Sequence, residues 1–178
     1  MKSKVLALIL LCGAASLGAK VKLPALVGDN MILQQQTEVK LWGTAAPEAE
    51  VRVTPSWNGQ TMTCRADKDG GWTLAVETPA AGYTPYEITF DDGEKTTLKN
   101  ILIGEVWLAS GQSNMEMPLK GFAGCCIMNG ADDIIVSAEN KGVRMFTVPK
   151  HQTYELQTDC KGSWNISSIE TAPDFSAT

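Results

Sequence analysis

The chain has 178 residues, of which 44% are hydrophobic and 20% charged, and its formal net charge is −5. These proportions are typical of a globular protein and exclude a disordered one. An acidic chain without a basic cluster also argues against nucleic acid or an anionic membrane as a partner. The single histidine, His151, excludes a histidine-rich metal site within the chain, and the sequence requires neither a metal nor an organic cofactor.

Residues 1–19 have the features of a secretory signal peptide. Two lysines precede an apolar run, Val5 to Leu11, and small residues follow up to Ala19. The run is shorter than the about 20 apolar residues that span a bilayer, which argues against a transmembrane anchor. We therefore predict an exported protein, periplasmic or extracellular, whose mature form is not held in a membrane.

Residues 20–98 are predicted to form an all-β sandwich. Short segments of alternating apolar and polar residues are separated by turn-forming clusters, such as Asp67–Gly71 and Asp91–Gly93. Several short strands at this spacing are typical of a sandwich. The predicted strands are Val39–Gly43, Val51–Val53, Trp72–Val76 and Tyr86–Phe90. Trp42 and Trp72 are expected in the core, and a sugar-binding face is the alternative.

Residues 99–178 are predicted to begin an α/β domain. The run Ile101–Ala109 is almost continuously apolar, as in a strand buried on both faces of a parallel sheet. The apolar positions between Ala131 and Ala138 fall on one face of a helix, with Gly142 at the expected C-cap, and Val143–Val148 follows as a strand. Strand, helix and strand predict a βαβ unit. A doubly wound sheet needs more strands, so we expect this domain to be incomplete in the chain.

Four cysteines follow the predicted signal peptide: Cys64, Cys125, Cys126 and Cys160. The adjacent pair, Cys125 and Cys126, matches no zinc-ligand spacing. Export permits disulfides, so the pair is expected to be either free thiols or one end of a bridge. The sequence fixes no pairing, and it indicates no oligomeric state.

Ser113 is the candidate nucleophile. It follows the predicted strand closely and lies two residues after Gly111, where the chain is expected to turn. Reactive groups of open α/β sheets lie at the carboxyl ends of strands. A serine at a helix start also sits among unpaired backbone N–H groups, its own included, which suit a developing oxyanion. Gln112 and Asn114 are expected to support the loop, and Ser110 is a weaker candidate by position.

A purely structural role for Ser113 explains the local sequence equally well. The stretch Ser113–Glu116 has the S-x-x-E pattern of a capping box. In that motif the serine caps a helix and the glutamate helps to close it. Spacing alone does not decide between the cap and the nucleophile.

The string GEVWLASGQSNMEMPL, residues 104–119, resembles the first conserved block of the sialate O-acetylesterase family, which lies within the SGNH hydrolases. The resemblance extends upstream to LPALVGDNMILQQ and VKLWGTA and downstream to VRMFTVP and CKGSW, so it covers nearly the whole mature chain. It implies a β-sandwich followed by a flavodoxin-like SGNH hydrolase domain. It also implies a serine esterase that removes O-acetyl groups from sialic acid or related acetylated sugars, with Ser113 as the nucleophile.

The resemblance also implies elements that this chain does not supply. The family's base is a histidine in an Asp-x-x-His segment, and its oxyanion hole adds a glycine N–H and an asparagine side chain. His151 lacks that setting and is expected to be a surface residue, and Asn114 does not match the family's asparagine. The chain alone is therefore predicted to be a weak or inactive esterase. The alternative function is a non-catalytic β-sandwich module that binds a glycan or has a structural role.

Overall fold

The computed structural model describes residues 20–176, so the predicted signal peptide lies outside the described residues. The described part is mostly β structure with few helices, as expected. Its strands are β1 Ile32–Gln34, β2 Glu38–Thr44, β3 Glu50–Pro55, β4 Met62–Arg65, β5 Gly71–Glu77, β6 Gly82–Asp91, β7 Lys95–Gly104, β8 Arg144–Phe146 and β9 Trp164–Ile166. Its helices are α1 Ser113–Glu116 and α2 Gly130–Glu139, followed by a 3₁₀ turn at Ala172–Asp174.

Two sheets enclose the hydrophobic core of the first seven strands. One has five strands in the order β1-β7-β6-β3-β4, with β1 parallel to β7 and the other pairs antiparallel, and the second is the antiparallel pair β2-β5. Buried and exposed residues alternate along β5, because successive side chains point to opposite faces of a strand. Its Trp72 packs against Phe90 of β6, with 5.8 Å between the ring centroids. Trp72 is therefore a core residue as predicted, whereas Trp42 is only partly buried.

The turns between these strands follow the sequence signals. In the turn before β5, Asp67 Oδ1 accepts hydrogen bonds from the backbone N–H groups of Asp69 (2.9 Å) and Gly71 (2.7 Å). Gly70 has a φ of +86°, and a Cβ there would lie 2.5 Å from the carbonyl oxygen of Ala45, so the position requires glycine. Each of the four strands predicted within residues 20–98 is present, within β2, β3, β5 and β6.

The prediction of one buried strand over Ile101–Ala109 is wrong. Its first four residues are the end of β7, which pairs with β6 and β1 and so completes the first sheet. The remainder, residues 105–109, forms no strand and is exposed, with Trp107 and Leu108 at 87% and 95% exposure. No described strand lies beside it to complete a parallel sheet. β7 also spans the predicted domain boundary between residues 98 and 99.

The predicted βαβ unit is wrong as well, although its helix and second strand are present as α2 and β8. β8 pairs antiparallel with β9, a strand that the polar sequence after Val148 did not indicate, and not with β7. Phe146 and Trp164 meet across this pair with their ring centroids 5.4 Å apart. Gly142 is not the C-cap of α2: Asn140 occupies that position, and its Oδ1 accepts a hydrogen bond from the Gly142 N–H at 3.0 Å.

The later part of the chain contacts the first two sheets through a few polar bonds. The Trp164 indole N–H donates to the carbonyl oxygen of Leu26 at 2.8 Å, and its ring packs against the core. Arg144 donates to Asn100 Oδ1 at 3.2 Å, and burial lowers the pKa of this guanidinium. Among residues 20–176, no helix has both the length and the apolar character needed to cross a membrane.

Candidate functional site

The segment that leads to Ser113 starts from a fixed point at the end of β7. Glu105 accepts hydrogen bonds from the side-chain amides of Gln34 (2.9 Å) and Gln35 (2.6 Å). Gln34 Oε1 in turn accepts a hydrogen bond from the backbone N–H of Val106 at 2.9 Å. The two amide donors lower the pKa of the Glu105 carboxyl because they stabilise its charged form. We call Gln34, Gln35 and Glu105 the Glu105 clamp, since they tie the outgoing segment to β1.

Ser113 opens the one-turn helix α1 and is exposed to solvent. Gln112, not Ser113, occupies the N-cap position, and no side chain makes a capping hydrogen bond there. The capping-box interpretation is therefore wrong: Ser113 is the first helical residue, one position too late to cap. Its hydroxyl is left free of that structural role, and its N–H lies in the first turn, where backbone donors have no partner within the helix.

The neighbours of Ser113 shape the turn mainly through the backbone. The Gln112 carbonyl accepts a hydrogen bond from the Met115 N–H at 2.9 Å, which closes the turn, and both Gln112 and Asn114 are exposed. At Gly111 an added Cβ would lie 2.7 Å from Met115 Cγ. Glycine at 111 therefore lets the Met115 side chain fold back against the entry to the helix.

The chain after α1 is held by contacts that the sequence did not reveal. Pro118 is buried, and the next two N–H groups, of Leu119 and Lys120, donate to the carbonyl oxygens of Phe175 and Pro173, both at 3.0 Å. The Lys120 ammonium also pairs with Asp174. The 3₁₀ turn near the end of the described range therefore supports the exit from the Ser113 segment.

His151 is exposed, as expected, and no hydrogen bond joins it to Ser113 within residues 20–176. The residue before it, Lys150, forms an ion pair with Glu116 of α1 at 2.7 Å. Both partners are largely solvent-exposed, so the pair contributes little to stability. Over the same range, no group of three or more His, Cys, Asp or Glu side chains could hold a metal ion. The four described cysteines are free, with Cys125 and Cys126 exposed.

Comparison with known proteins relates the chain to esterases. No protein-family model matches the sequence. The sialate O-acetylesterase of Rattus norvegicus is 27% identical over an alignment of 175 positions, and the match covers 90% of this chain and 31% of that protein. The sialate O-acetylesterase of Homo sapiens is 29% identical over an alignment of 161 positions, and the match covers 84% of this chain and 29% of that protein. The resemblance to sialate O-acetylesterases is confirmed.

A solved structure agrees with these relatives. A carbohydrate acetylesterase from Xanthomonas citri is 31% identical and superposes with a TM-score of 0.78. The match covers 88% of this chain and 35% of that one. The chain thus spans about a third of the length of the proteins that it matches.

Proposed function

We propose that this chain carries the nucleophile of a carboxylic-ester hydrolase that removes O-acetyl groups from sialic acid or related acetylated sugars. One observation carries the proposal: Ser113, within the G-Q-S-N-M string, is the exposed first residue of a helix and has no capping role. The names of the relatives, sialate O-acetylesterase and carbohydrate acetylesterase, support the substrate class.

The proposed chemistry is acyl transfer through Ser113. Its Oγ attacks the acetyl carbonyl carbon and gives up its proton to a base, so that a tetrahedral oxyanion forms. The N–H of Ser113, in the first turn of α1, would donate a hydrogen bond to that oxygen. Collapse of the intermediate expels the sugar hydroxyl and leaves an acetyl-enzyme, and water then releases acetate and restores the serine.

The described residues 20–176 include no group that is positioned to act as this base. His151 is exposed, lacks the Asp-x-x-His setting and makes no hydrogen bond to Ser113 within the described residues. A serine hydroxyl without a base is a poor nucleophile near neutral pH, and base assistance is worth about 10²–10⁴-fold. We therefore expect the 178-residue chain to show no Ser113-dependent hydrolysis of p-nitrophenyl acetate. Activity in this chain that disappears in Ser113→Ala would refute that expectation.

The proposal is tested on the coding sequence read past Thr178. An in-frame continuation with an Asp-x-x-His segment would supply the base, and the complete product can then be assayed for acetate release from O-acetylated sialic acid. Ser113→Ala should lower the rate by at least about 10³-fold, because the nucleophile acts as a unit with its base. Ser110→Ala is the matched control, three residues away in the same exposed segment, and should retain activity. Equal activity of wild type and Ser113→Ala would overturn the proposal.

We also propose the architecture and location that fit this activity. The two-sheet core of the first seven strands would be the β-sandwich, and the Ser113 segment would open an α/β SGNH hydrolase domain. The substrate would be met outside the cytoplasm after removal of residues 1–19, and amino-terminal sequencing of the secreted protein tests this. The second candidate function, a non-catalytic glycan-binding module, is favoured by one specific feature, an open cleft beside Trp42.

A further inference from the structure

A large open cleft lies beside the β2-β5 sheet, formed by residues other than Ser113 and its neighbours. Its volume is about 840 Å³, within the range of roughly 300–1,000 Å³ that is usual for small-molecule sites. The wall is built from the end of β2, the start of β5 and the turn between β4 and β5. Residues 22–24 and 158–159 complete the rim.

The apolar part of the cleft is aromatic. Trp42 lines it and is only partly buried, so part of the indole is available to a ligand. Trp72 also lines the cleft but belongs to the core, and its indole nitrogen has no hydrogen-bond partner among residues 20–176. Between them, Gly43 has no room for a side chain, since a Cβ would lie 2.4 Å from the carbonyl oxygen of Lys22 and 3.0 Å from the Trp72 ring.

Two carboxylates of the cleft hold its frame in place. Asp67 accepts hydrogen bonds from two backbone N–H groups of its own turn. Asp159 Oδ1 accepts hydrogen bonds from the N–H groups of Ala25 at 2.9 Å and Cys160 at 2.7 Å, which ties the rim segment to the chain before β1. These bonds hold the turn before β5 and the rim at residue 159 in place, and parts of a site that are already ordered lower the cost of binding.

Other polar side chains of the cleft remain free to bind a ligand. Asp69, Lys22 and Thr73 are exposed, and their side chains make no hydrogen bond or ion pair with residues 20–176. Together they offer hydroxyl, ammonium and carboxylate groups around an indole. Three carboxylates and two cations line the cleft, Arg65 being the second cation, so the charge balance is slightly negative.

We infer that this cleft is a binding site for a neutral oligosaccharide. Sugar rings present both C–H faces, which pack on an indole, and hydroxyl groups, which bond to carboxylates, ammonium groups and hydroxyls. The negative balance disfavours acidic sugars such as free sialic acid. The site is separate from the proposed chemistry at Ser113 and would hold a glycan chain whose acetyl esters are removed elsewhere on the protein.

The test is a titration of the full chain with xylotetraose, chitotetraose and N-acetylneuraminic acid, in which binding is measured by calorimetry and by tryptophan fluorescence. At least one neutral tetrasaccharide should bind, and Trp42→Ala should weaken its binding by at least about tenfold, which corresponds to about 1.4 kcal/mol. Trp107→Ala is the matched control, because this tryptophan is 87% exposed and lies outside the cleft. Asp69→Ala, at an exposed position, tests the site again should Trp42→Ala fail to fold.

Three outcomes would overturn the inference. The first is that neither tetrasaccharide binds up to about 10 mM, a limit that corresponds to very weak affinity. The second is that the affinity is unchanged both in Asp69→Ala and in a folded Trp42→Ala variant. The third is that N-acetylneuraminic acid binds more tightly than the neutral sugars. Ser113→Ala should bind like wild type. Because binding is read without catalysis, a failed titration leaves the proposed esterase activity untouched, and a failed esterase assay leaves the cleft untouched.

Discussion

Replacement of Thr78 by valine should destabilise the protein through a single buried hydroxyl. Thr78 follows β5, is 7% exposed, and its Oγ1 lies 2.7 Å from the carbonyl oxygen of Gln34 and 2.9 Å from that of Thr37. The same oxygen accepts a hydrogen bond from the Thr37 N–H at 3.2 Å. Valine keeps the shape of threonine and removes all of these bonds, so the variant isolates the hydroxyl.

The expected cost follows from the groups that lose their partner. A hydroxyl has one proton, so it serves one of the two carbonyls at a time, and one N–H is also left unpaired. An unsatisfied buried polar group costs about 1–3 kcal/mol. Thr37 is itself exposed, so water can reach its N–H and the lower half of that range is expected. About 1–2 kcal/mol corresponds to a fall in Tm of about 2–8 °C for a chain of this size.

Urea unfolding followed by tryptophan fluorescence measures this difference directly, with the slope m checked for constancy. Thr78→Ser keeps the hydroxyl and should lose less than Thr78→Val, even though it removes a methyl group. Thr63→Val, at an exposed position of β4, is the matched control for threonine-to-valine change and should be close to neutral. A Thr78→Val variant as stable as wild type would refute the reasoning, as would a Thr78→Ser variant less stable than Thr78→Val.

Three further predictions concern Gly43, Glu105 and the relative reactivity of the cysteines. Gly43→Ala should lower the free energy of unfolding, measured in urea, by about 1–3 kcal/mol, because its Cβ would lie 2.4 Å from the Lys22 carbonyl oxygen. An unchanged unfolding midpoint would contradict this. The pKa of Glu105 is lowered in the folded protein, so its charged form contributes to stability above the ordinary glutamate pKa. That contribution is lost as the pH falls through the pKa of Glu105 in the folded protein. The stability gap between wild type and Glu105→Gln should therefore narrow from pH 7 to pH 3, and a constant gap would count against the clamp. Cys64 and Cys160 are less exposed than Cys125 and Cys126, and burial raises the pKa values of their thiols. In alkylation mapped by mass spectrometry, Cys125 and Cys126 should therefore react first. The reverse order would be inconsistent with the structure.

Four of the seven strands in the first two sheets, β2, β3, β5 and β6, could be predicted because their residues alternate between apolar and polar. Alternation of apolar and polar residues along Trp72–Val76 reports one buried face, and the cluster at Asp67–Gly71 reports the turn before it. The end of the strand within Ile101–Ala109 could not be predicted in this way, because a continuous apolar run has no alternation to mark where the strand stops. The run divides at Gly104, where β7 ends, and its second half is apolar without being buried.

The sequence indicates Ser113 as the candidate nucleophile, but it does not indicate the contacts that hold the surrounding segment in place. Ser113 stands out through the G-Q-S-N-M string, whereas the capping box matched the same residues and was one position out of register. The Glu105 clamp joins residues about 70 positions apart in sequence, a pairing that no local pattern encodes. The bond from the Leu119 N–H to the Phe175 carbonyl oxygen also joins residues that are far apart in the sequence. Long-range polar contacts of this kind depend on the register of the sheets, which sequence spacing does not fix.

The Ser113 segment is therefore secured at its two ends and not along its length. The Glu105 clamp fixes where it leaves β7, and the 3₁₀ turn fixes the chain after Pro118. Between these anchors lie Trp107 and Leu108, two large apolar side chains at 87% and 95% exposure. Catalytic groups need placement within about 0.5 Å, which exposed loops do not provide on their own. Under the proposed function, Ser113 would therefore need contacts beyond these two anchors to be held in a catalytic position.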